Sequence, residues 1–468
     1  MRPAFPALAL LLLLPTLPAA EPKLSVGFAE TDVSPVVDGK TPVYLAGYGQ
    51  NRPATKVHDP IVARAVVLSD GTKKIALVSV DVVGLFLPAV ERVREQLKGF
   101  DYVLVSATHN HEGPDTLGLW GKTPFESGVD PAYLKRVIDG AAAAVTAAEK
   151  KLAPATARVG TAKGPELLRD GRLPEVKHDD MVVIRFDATD AKPGDAPVGL
   201  LVQWNVHPEL LDDKNTEVSA DHVGYTVAHL TKKYKCPVVY FTGTVGGLMT
   251  SLRVPLKDAD GKDMKDGTFE KTEKYGVEVG KLAEKAVQAA VPATLVPFAV
   301  RTKALLAPVD NALYRLAWQA GVFKRPMYVW DGNPAPEKFV EGKDASKPVG
   351  VKTEVGYLKL GELDVALIPG EIYPELVLDK IQEPVDPGAD FPNASKEPAI
   401  YPQLKGKHKM LIGLANDEIG YIIPKRQWDE QPPFCYGRKD AQYGEINSCG
   451  PDVAKVLCEA FKELAGKK

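Results

Sequence analysis

The 468-residue sequence holds only four cysteines, Cys236, Cys435, Cys449 and Cys458. No two of them have the close Cys-x-x-Cys spacing that structural zinc sites favour, which argues against a four-thiolate site. Positive charge is not in surplus: 58 Lys and Arg against 61 Asp and Glu give a net charge of −3. No basic run stands out, so no field exists to hold a nucleic acid, and no such partner is expected. Beyond the first twenty residues, no stretch of ~18 apolar residues runs without charge, so no transmembrane segment is expected. There is no internal repeat and no low-complexity linker. With 45% hydrophobic and 25% charged residues, a disordered, collagen-like or coiled-coil chain is excluded.

What the chain does have is glycine and proline, 40 and 39 residues. This is above the ~12% average and predicts many turns, with helices that do not dominate. At the start, Arg2, the leucine-rich run Leu8–Leu14 and the small residues Pro18-Ala19-Ala20 read as a secretory signal peptide over residues 1–20. Residues 21–468 are then read as one domain with insertions, secreted or periplasmic. Export permits disulfides, and four cysteines allow three pairings. Cys435 with Cys449 is the favoured pair, and buried free thiols are the alternative.

Short apolar runs, mostly rich in β-branched residues, predict strands. Val62–Leu68 and Lys74–Val82 flank the turn Ser69-Asp70-Gly71-Thr72 as a hairpin. Tyr102–Ala107, Val198–Val206, Val238–Thr242, Leu363–Ile368 and Met410–Leu414 follow. Helices interleave: Asp130-Pro131 supplies an N-cap and an N1 proline for an alanine-rich helix to about Leu152. Val223–Tyr234, Lys274–Ala290 and a last helix opening at Pro451 are the others. The expected fold is α/β, a mixed-sheet sandwich. The aromatic stretch Asn311–Lys343 reads equally as an insertion over a site or as a packed peripheral helix and loop.

Polar residues gather just beyond these strands. Thr108-His109-Asn110-His111-Glu112-Gly113-Pro114 follows the first of the later five, His207-Pro208-Glu209 the second. Pro369-Gly370-Glu371 and Asn416-Asp417-Glu418-Ile419-Gly420-Tyr421 follow two more. Loops at strand ends are where a rigid sheet aims functional side chains. Imidazole nitrogen and carboxylate oxygen suit Zn²⁺ with a position left for water. Of eight histidines, three sit at these strand ends. Taken singly, each motif also fits a surface or core residue.

Together these motifs resemble a known family. Ser106-Ala107-Thr108-His109-Asn110-His111-Glu112-Gly113-Pro114 is similar to the Ser-Ala-Thr-His-x-His-x-Gly-Pro signature of the neutral, non-lysosomal ceramidases. In the same order, Ala46-Gly47-Tyr48-Gly49, Val57-His58-Asp59, Val78-Ser79-Val80-Asp81, Trp204-Asn205-Val206-His207-Pro208, Pro369-Gly370-Glu371 and Ala415-Asn416 to Gly420-Tyr421 resemble further stretches of that family. The resemblance implies a zinc amidohydrolase. Its ligands would be His109, His207, Glu371 and Tyr421, with His111 contacting substrate or moving a proton. Arg172 loosely matches a substrate-contacting arginine. Tyr421, His111 or Arg172 would stabilise the oxyanion formed when metal-activated water attacks an amide. Asp81 and Glu112 would orient a histidine from behind, or be ordinary loop carboxylates. Asp221-His222 is read as a helix cap rather than as catalytic.

Two departures stand out. Where the family has Gly-Asp-Val-Ser-Pro, this chain has Gly243-Thr244-Val245-Gly246-Gly247-Leu248-Met249-Thr250-Ser251. Met249 falls near the family serine and Gly247 near its aspartate, unless Thr250 or Ser251 serves in a shifted register. About 50 residues follow Tyr421, too few for the immunoglobulin-like domain of ~100 residues that the family carries at its C-terminus. Three readings therefore stand: a zinc amidase for ceramide or a related N-acyl lipid, a zinc amidase or esterase for a smaller polar compound, and a non-catalytic binding protein. Contact with a membrane surface stays open.

Overall fold

A computed structural model describes residues 23–467. The candidate signal segment lies outside the described residues. Eight strands of the first sheet are β1 (Ser25–Asp32), β2 (Val62–Ser69), β3 (Lys74–Val80), β4 (Tyr102–Ala107), β5 (Ala153–Lys163), β6 (Asp180–Ala188), β7 (Gly199–Trp204) and β8 (Val238–Thr242). Their order is β8-β7-β6-β5-β1-β2-β3-β4, with a ninth short strand, Val291–Ala293, beside β5. The two end pairs, β8–β7 and β3–β4, are parallel and the rest antiparallel. The second sheet runs β9 (Phe298–Pro308), β10 (Val349–Leu360), β11 (Leu363–Leu367) and β12 (His408–Ile412). Its β11–β12 pair is parallel.

The period-two pattern of β2 shows why the sheets stack. Val66 and Leu68 point to the second sheet, where they pack with Leu363, Val365 and Met410. Ala63, Ala65 and Val67 point the other way. That outer face is covered by α1 (Leu87–Gln96) and α2 (Pro131–Glu149). The other half of the sheet is covered by α3 (Asp221–Tyr234) and α4 (Phe269–Gln288). After α5 (Ala312–Gln319) and the short α6 (Pro374–Leu378), α7 (Val453–Gly466) covers the second sheet. The result is the expected mixed-sheet α/β sandwich, helix on sheet on sheet on helix. Among the described residues, no helix is long and apolar enough to cross a membrane.

Local chemistry sets the boundaries. Asp130 caps α2, its carboxylate accepting from the Ala132 N–H at 2.9 Å, with Pro131 at the first position. Asp70 holds the β2–β3 turn by accepting from the Thr72 and Lys73 N–H groups at 2.8 and 2.6 Å. The cap position of α3 falls on Ala220, one residue before Asp221. Asp221 accepts from the Leu211 N–H at 3.0 Å and pairs with His222 Nδ1 at 3.0 Å, ties that bind the helix start to a loop.

The favoured Cys435–Cys449 disulfide is not formed: all four cysteines are free and buried. Cys449 donates instead to the Ile419 carbonyl at 3.1 Å, and burial pushes the Cys435 and Cys449 thiols up to about 12.

Gly27 in β1 marks a close approach of helix to sheet. A Cβ there would lie 2.1 Å from the Ala148 carbonyl oxygen at the end of α2, which no side-chain rotation relieves. Gly27→Ala is therefore expected to cost about 1–3 kcal/mol, read as a lower thermal midpoint. An unchanged midpoint would show that α2 is free to move.

Candidate functional site

Strand ends from both sheets converge because edge elements are stitched together just past them. Thr242 Oγ1 at the end of β8 donates to the Thr108 carbonyl at 2.7 Å. Ser106 Oγ in β4 donates to the Gly413 carbonyl beyond β12 at 2.9 Å, and the Asn416 N–H reaches the Val105 carbonyl at 2.7 Å. Glu371–Ile372 and Tyr421–Ile422 form a two-residue parallel ladder in which Glu371 faces Tyr421. These ties carry the loops after β4, β7, β11 and β12 to one place.

There His109, His207 and Glu371 meet. His109 Nδ1 donates to the Val83 carbonyl at 2.6 Å, and His207 Nδ1 to the Met249 carbonyl at 2.9 Å. A carbonyl accepts only, so each Nδ1 carries the proton and each Nε2 is left with its lone pair. Both Nε2 atoms face the same oxygen: Glu371 Oε2 lies 3.3 Å from His109 Nε2 and 3.0 Å from His207 Nε2. Three acceptors buried at this distance repel unless a cation lies among them. Without a metal, protons fill that role. Burial opposes charge on all three groups, but the Glu371 charge raises His109 and the hydrogen bond to Glu371 raises His207 to about 9. The same pairing outweighs burial to hold Glu371 below the usual carboxylate range. The donor set fits a zinc ion, which takes imidazole nitrogen and carboxylate oxygen.

His111 stands against this group, with one nitrogen of each of the three histidines within 4.8 Å of the others. It is buried and neither ring nitrogen has a hydrogen-bond partner. Burial, then His109, His207 and Arg52, hold it well below the usual histidine range, so it is a neutral imidazole. Its Nδ1 lies 3.7 Å from Glu209 Oε2, and the Tyr48 ring meets its own edge-on at 5.2 Å. Gly47, at φ +95°, has to lack a side chain: a Cβ would sit 2.3–2.6 Å from the His111 ring.

The three histidines, Glu371 and Tyr421 line a cavity of about 620 Å³. Its other walls are mainly apolar, among them Phe86, Leu117, Trp120, Leu248, Phe323 and Met327. Phe323 and Met327 lie in the aromatic 311–343 stretch, which therefore does cover the site. The Tyr421 phenol is buried and held well above its ordinary range by that burial and by Glu371, so it keeps its proton.

No family model matches the sequence. Two solved structures have the same architecture. One is a neutral ceramidase from Pseudomonas aeruginosa, with a TM-score of 0.69 at 15% identity over 95% of this chain and 74% of that one. The other is a ceramidase complexed with C2, with a TM-score of 0.67 at 14% identity over 95% of this chain and 75% of that one. The chain has the neutral ceramidase fold.

Several residues expected at the site of this ceramidase-like fold are used elsewhere. Arg172 does not line the cavity. Its guanidinium grips Glu445 with two bonds of 2.6 and 2.7 Å and donates to the Tyr443 and Gln427 carbonyls at 2.8 Å. It thereby holds from behind the segment that brings Tyr443 to the cavity. Asp81 touches no histidine ring. It pairs with buried Arg64 at 2.7 Å, accepts from the Val62 N–H at 3.0 Å and meets the Thr108 hydroxyl at 3.4 Å, so it supports the residue before His109. Glu112 accepts from Asn215 Nδ2 at 2.7 Å and pairs with Arg52, which donates to the His111 carbonyl. None of the three hydroxyls of the altered loop is free: Thr244 pairs with His178 Nδ1 at 2.9 Å, Thr250 donates to Glu209 Oε1, and Ser251 to the His207 carbonyl at 3.1 Å.

Two cavity carboxyls, Glu209 and Glu418, carried no expected role. Each sits inside a quoted motif, and the signal was the acid itself beside a histidine or a Gly-Tyr pair. Burial, then Glu371, pushes Glu418 up to about 8.

Two outcomes follow. Asp81→Ala strands the Arg64 guanidinium in the core and is expected to cost about 3–5 kcal/mol. Adding Arg64→Met should recover part of that loss in a denaturant titration; no recovery would mean that Asp81 acts some other way. Behind the cavity, burial and then Asp170 push Glu375 up to about 8. A carboxyl raised on folding stabilises below its unfolded pKa, and that stability drains away as pH rises through about 8. The melting temperature should therefore fall less between mildly acidic and mildly alkaline pH in Glu375→Gln than in the wild type, and parallel curves would disprove the assignment.

Proposed function

We propose that the protein is an exported zinc-dependent amidohydrolase that cleaves the N-acyl bond of ceramide or a related N-acyl lipid. One observation carries this reading: two Nε2 lone pairs and a carboxylate oxygen converge at the floor of a mostly apolar cavity. The ceramidase fold supports it, and so does the signal-peptide pattern at residues 1–20.

His109, His207 and Glu371 would hold the ion, with Tyr421 beside it. When bound, zinc supplies Lewis-acid polarisation of the amide carbonyl and lowers the pKa of water to near ~7. The chain's own groups do the rest. The Val83 and Met249 carbonyls lock both imidazoles in the tautomer that presents Nε2. Tyr421, kept protonated by burial, donates its hydroxyl toward the carbonyl oxygen as negative charge develops there. His111, neutral and without a partner, takes a proton at a ring nitrogen and delivers it to the departing amine, with Glu209 Oε2 at 3.7 Å to compensate the charge it gains. Phe86, Trp120, Phe323 and Met327 keep bulk water from the reacting bond.

A second reading, an amidase or esterase for a smaller substrate, is favoured by the cavity size. About 620 Å³ is the space of one compact ligand, so the chains of a double-chain lipid would have to leave through the mouth.

Metal analysis of protein purified without chelator or histidine tag is expected to give one zinc per chain. His207→Ala should lose the zinc and lower amide hydrolysis by more than about 1,000-fold, the several kcal/mol that Lewis-acid polarisation contributes. A chain that stays metal-free after incubation with zinc, or a metal-free His207→Ala that still hydrolyses, overturns the proposal. Hydrolysis of short polar amides but not of N-acyl lipids would select the second reading.

A further inference from the structure

The cavity contains a carboxyl that the proposed reaction does not use. Glu418 lines it and is 6% exposed. Its Oε1 accepts from the Gly420 N–H at 2.6 Å, whereas Oε2 is buried and has no partner. Buried polar atoms are bonded in native proteins almost without exception, so an orphan atom in a residue that lines the cavity marks the place of an absent partner. Its position is fixed. The turn carrying it has Leu414, Asn416 and Gly420 at φ +44°, +65° and +82°, and Asn416 Oδ1 ties it to β4 by accepting from the Val105 N–H at 3.1 Å. Opposite the carboxyl stem is Gly84, where a Cβ would meet the Glu418 Cβ and Cγ at 2.8 Å. A chain with any side chain at residue 84 would have no room for Glu418 as it stands.

The charges around it are as telling. Arg325 is the one Lys or Arg that lines the cavity among the described residues. It is already spent: Asp417 grips its guanidinium at 2.8 and 3.0 Å, and the Glu418 and Lys352 carbonyls take further bonds at 3.2 and 3.1 Å. Three carboxyls, Glu209, Glu371 and Glu418, share the same walls. Glu371 is committed to the two histidines, and Glu209 has one oxygen taken by Thr250. Nothing here would compensate a substrate carboxylate or phosphate away from the metal position, whereas hydroxyl and amine hydrogens find acceptors.

Resting on the amidase reading above, we propose that Glu418 is a specificity-determining substrate contact, selecting amides whose polar end carries a hydroxyl or amine and rejecting those that carry an anion. Ionised, Oε2 accepts from a substrate O–H or N–H; protonated, it exchanges hydrogen bonds with a hydroxyl. Ionised, it repels an anionic group, and in neither state does it offer one a positive charge. Leaving such an acceptor unpaired, or facing it with a like charge, is how a polar site discriminates strongly.

The test is a matched set of substrates with one acyl chain: the hexanoyl amides of ethanolamine, ethylenediamine, propylamine and glycine. For the zinc-loaded wild type, kcat/KM should favour the ethanolamine and ethylenediamine amides over the propylamine amide by at least about 10-fold, and over the glycine amide by at least about 100-fold. Glu418→Gln keeps the bond to Gly420 and removes the charge, so rejection of the glycine amide should relax by about 10-fold or more. Glu418→Leu should erase the preference for ethanolamine over propylamine. Unchanged ratios in both folded variants would overturn the inference. If the wild type hydrolyses none of the set, the amidase reading fails by itself, and the contact is read from binding. The uncleavable N-hexanesulfonyl derivatives of ethanolamine and glycine are then titrated into the protein as purified. Tighter binding of the ethanolamine derivative, lost in Glu418→Gln, sustains the proposal; equal Kd values for the two refute it.

Discussion

Two histidine lone pairs aimed at one carboxylate oxygen set the terms for the rest of the molecule. His109 Nε2, His207 Nε2 and Glu371 Oε2 lie within 3.0–3.3 Å across the shared oxygen and are buried. Such an arrangement is costly without a positive charge among its members. The chain does nothing to avoid it. Both Nδ1 atoms are pinned to backbone carbonyls, which prevents either ring from flipping its tautomer to relieve the repulsion. A site that merely paired ions would tolerate more freedom. The locked tautomers are those that present two nitrogens and an oxygen to one small cation.

Holding that group consumes backbone strain. His109, Leu248, Leu414 and Asn416 are non-glycine residues with positive φ, and all four lie in the loops that form or border the cavity. Each costs on the order of 1–3 kcal/mol and persists only where its surroundings over-determine it. The sheets provide that over-determination. The β4 end is tied to the loops beyond β8 and β12, so His109 cannot relax without breaking bonds to both sheets. The second set of buried ions serves the same purpose at one remove. Arg64 with Asp81 braces Thr108, Arg52 with Glu112 braces the His111 carbonyl, and Arg172 with Glu445 braces the Tyr443 segment. The Arg64 and Arg172 pairs stand behind the cavity and the Arg52 pair behind His111. Their role is to fix loops, which is where pairing a buried charge repays its desolvation.

The contrast between these two shells explains what a reader of the sequence can see. Strands whose apolar residues form unbroken runs, such as Val238–Thr242 and Tyr102–Ala107, announce themselves because both faces are buried. Ala153–Lys163 and Val349–Leu360 do not: one is rich in alanine with exposed positions, and the other interleaves lysine and glutamate. Their strand character comes from pairing with neighbours over eleven and twelve residues, a tertiary effect with little local trace. At the site, His109, His207 and Glu371 were legible because each stands in a short motif beyond a strand end, and the motifs together carry the family resemblance. Arg172, Asp81 and Glu112 were legible as buried charges but not by partner. Which arginine meets which acid depends on segments 17 to 273 residues apart, a distance that pattern reading does not span.

The altered loop after β8 shows how such a site can be rebuilt without losing its centre. Gly246 approaches the Ile372 backbone so closely that a Cβ would lie 2.5 Å from it, which packs this loop directly on the Glu371 segment. Leu248 then turns through φ +57° into the cavity wall, and Met249 presents its carbonyl to His207. The loop thus supplies an apolar wall and a ligand-orienting acceptor. Its three hydroxyls pair with His178, Glu209 and the His207 backbone, so none is left free toward the cavity. What lines the cavity in their stead is acid: Glu209 beside His111, and Glu418 across the Gly420 turn. A hydroxyl can give a hydrogen bond to a substrate carbonyl or take one from its N–H. A carboxylate can only take. Under the proposed amidase reading, replacing one by the other would move discrimination from the amide itself to the donors that flank it.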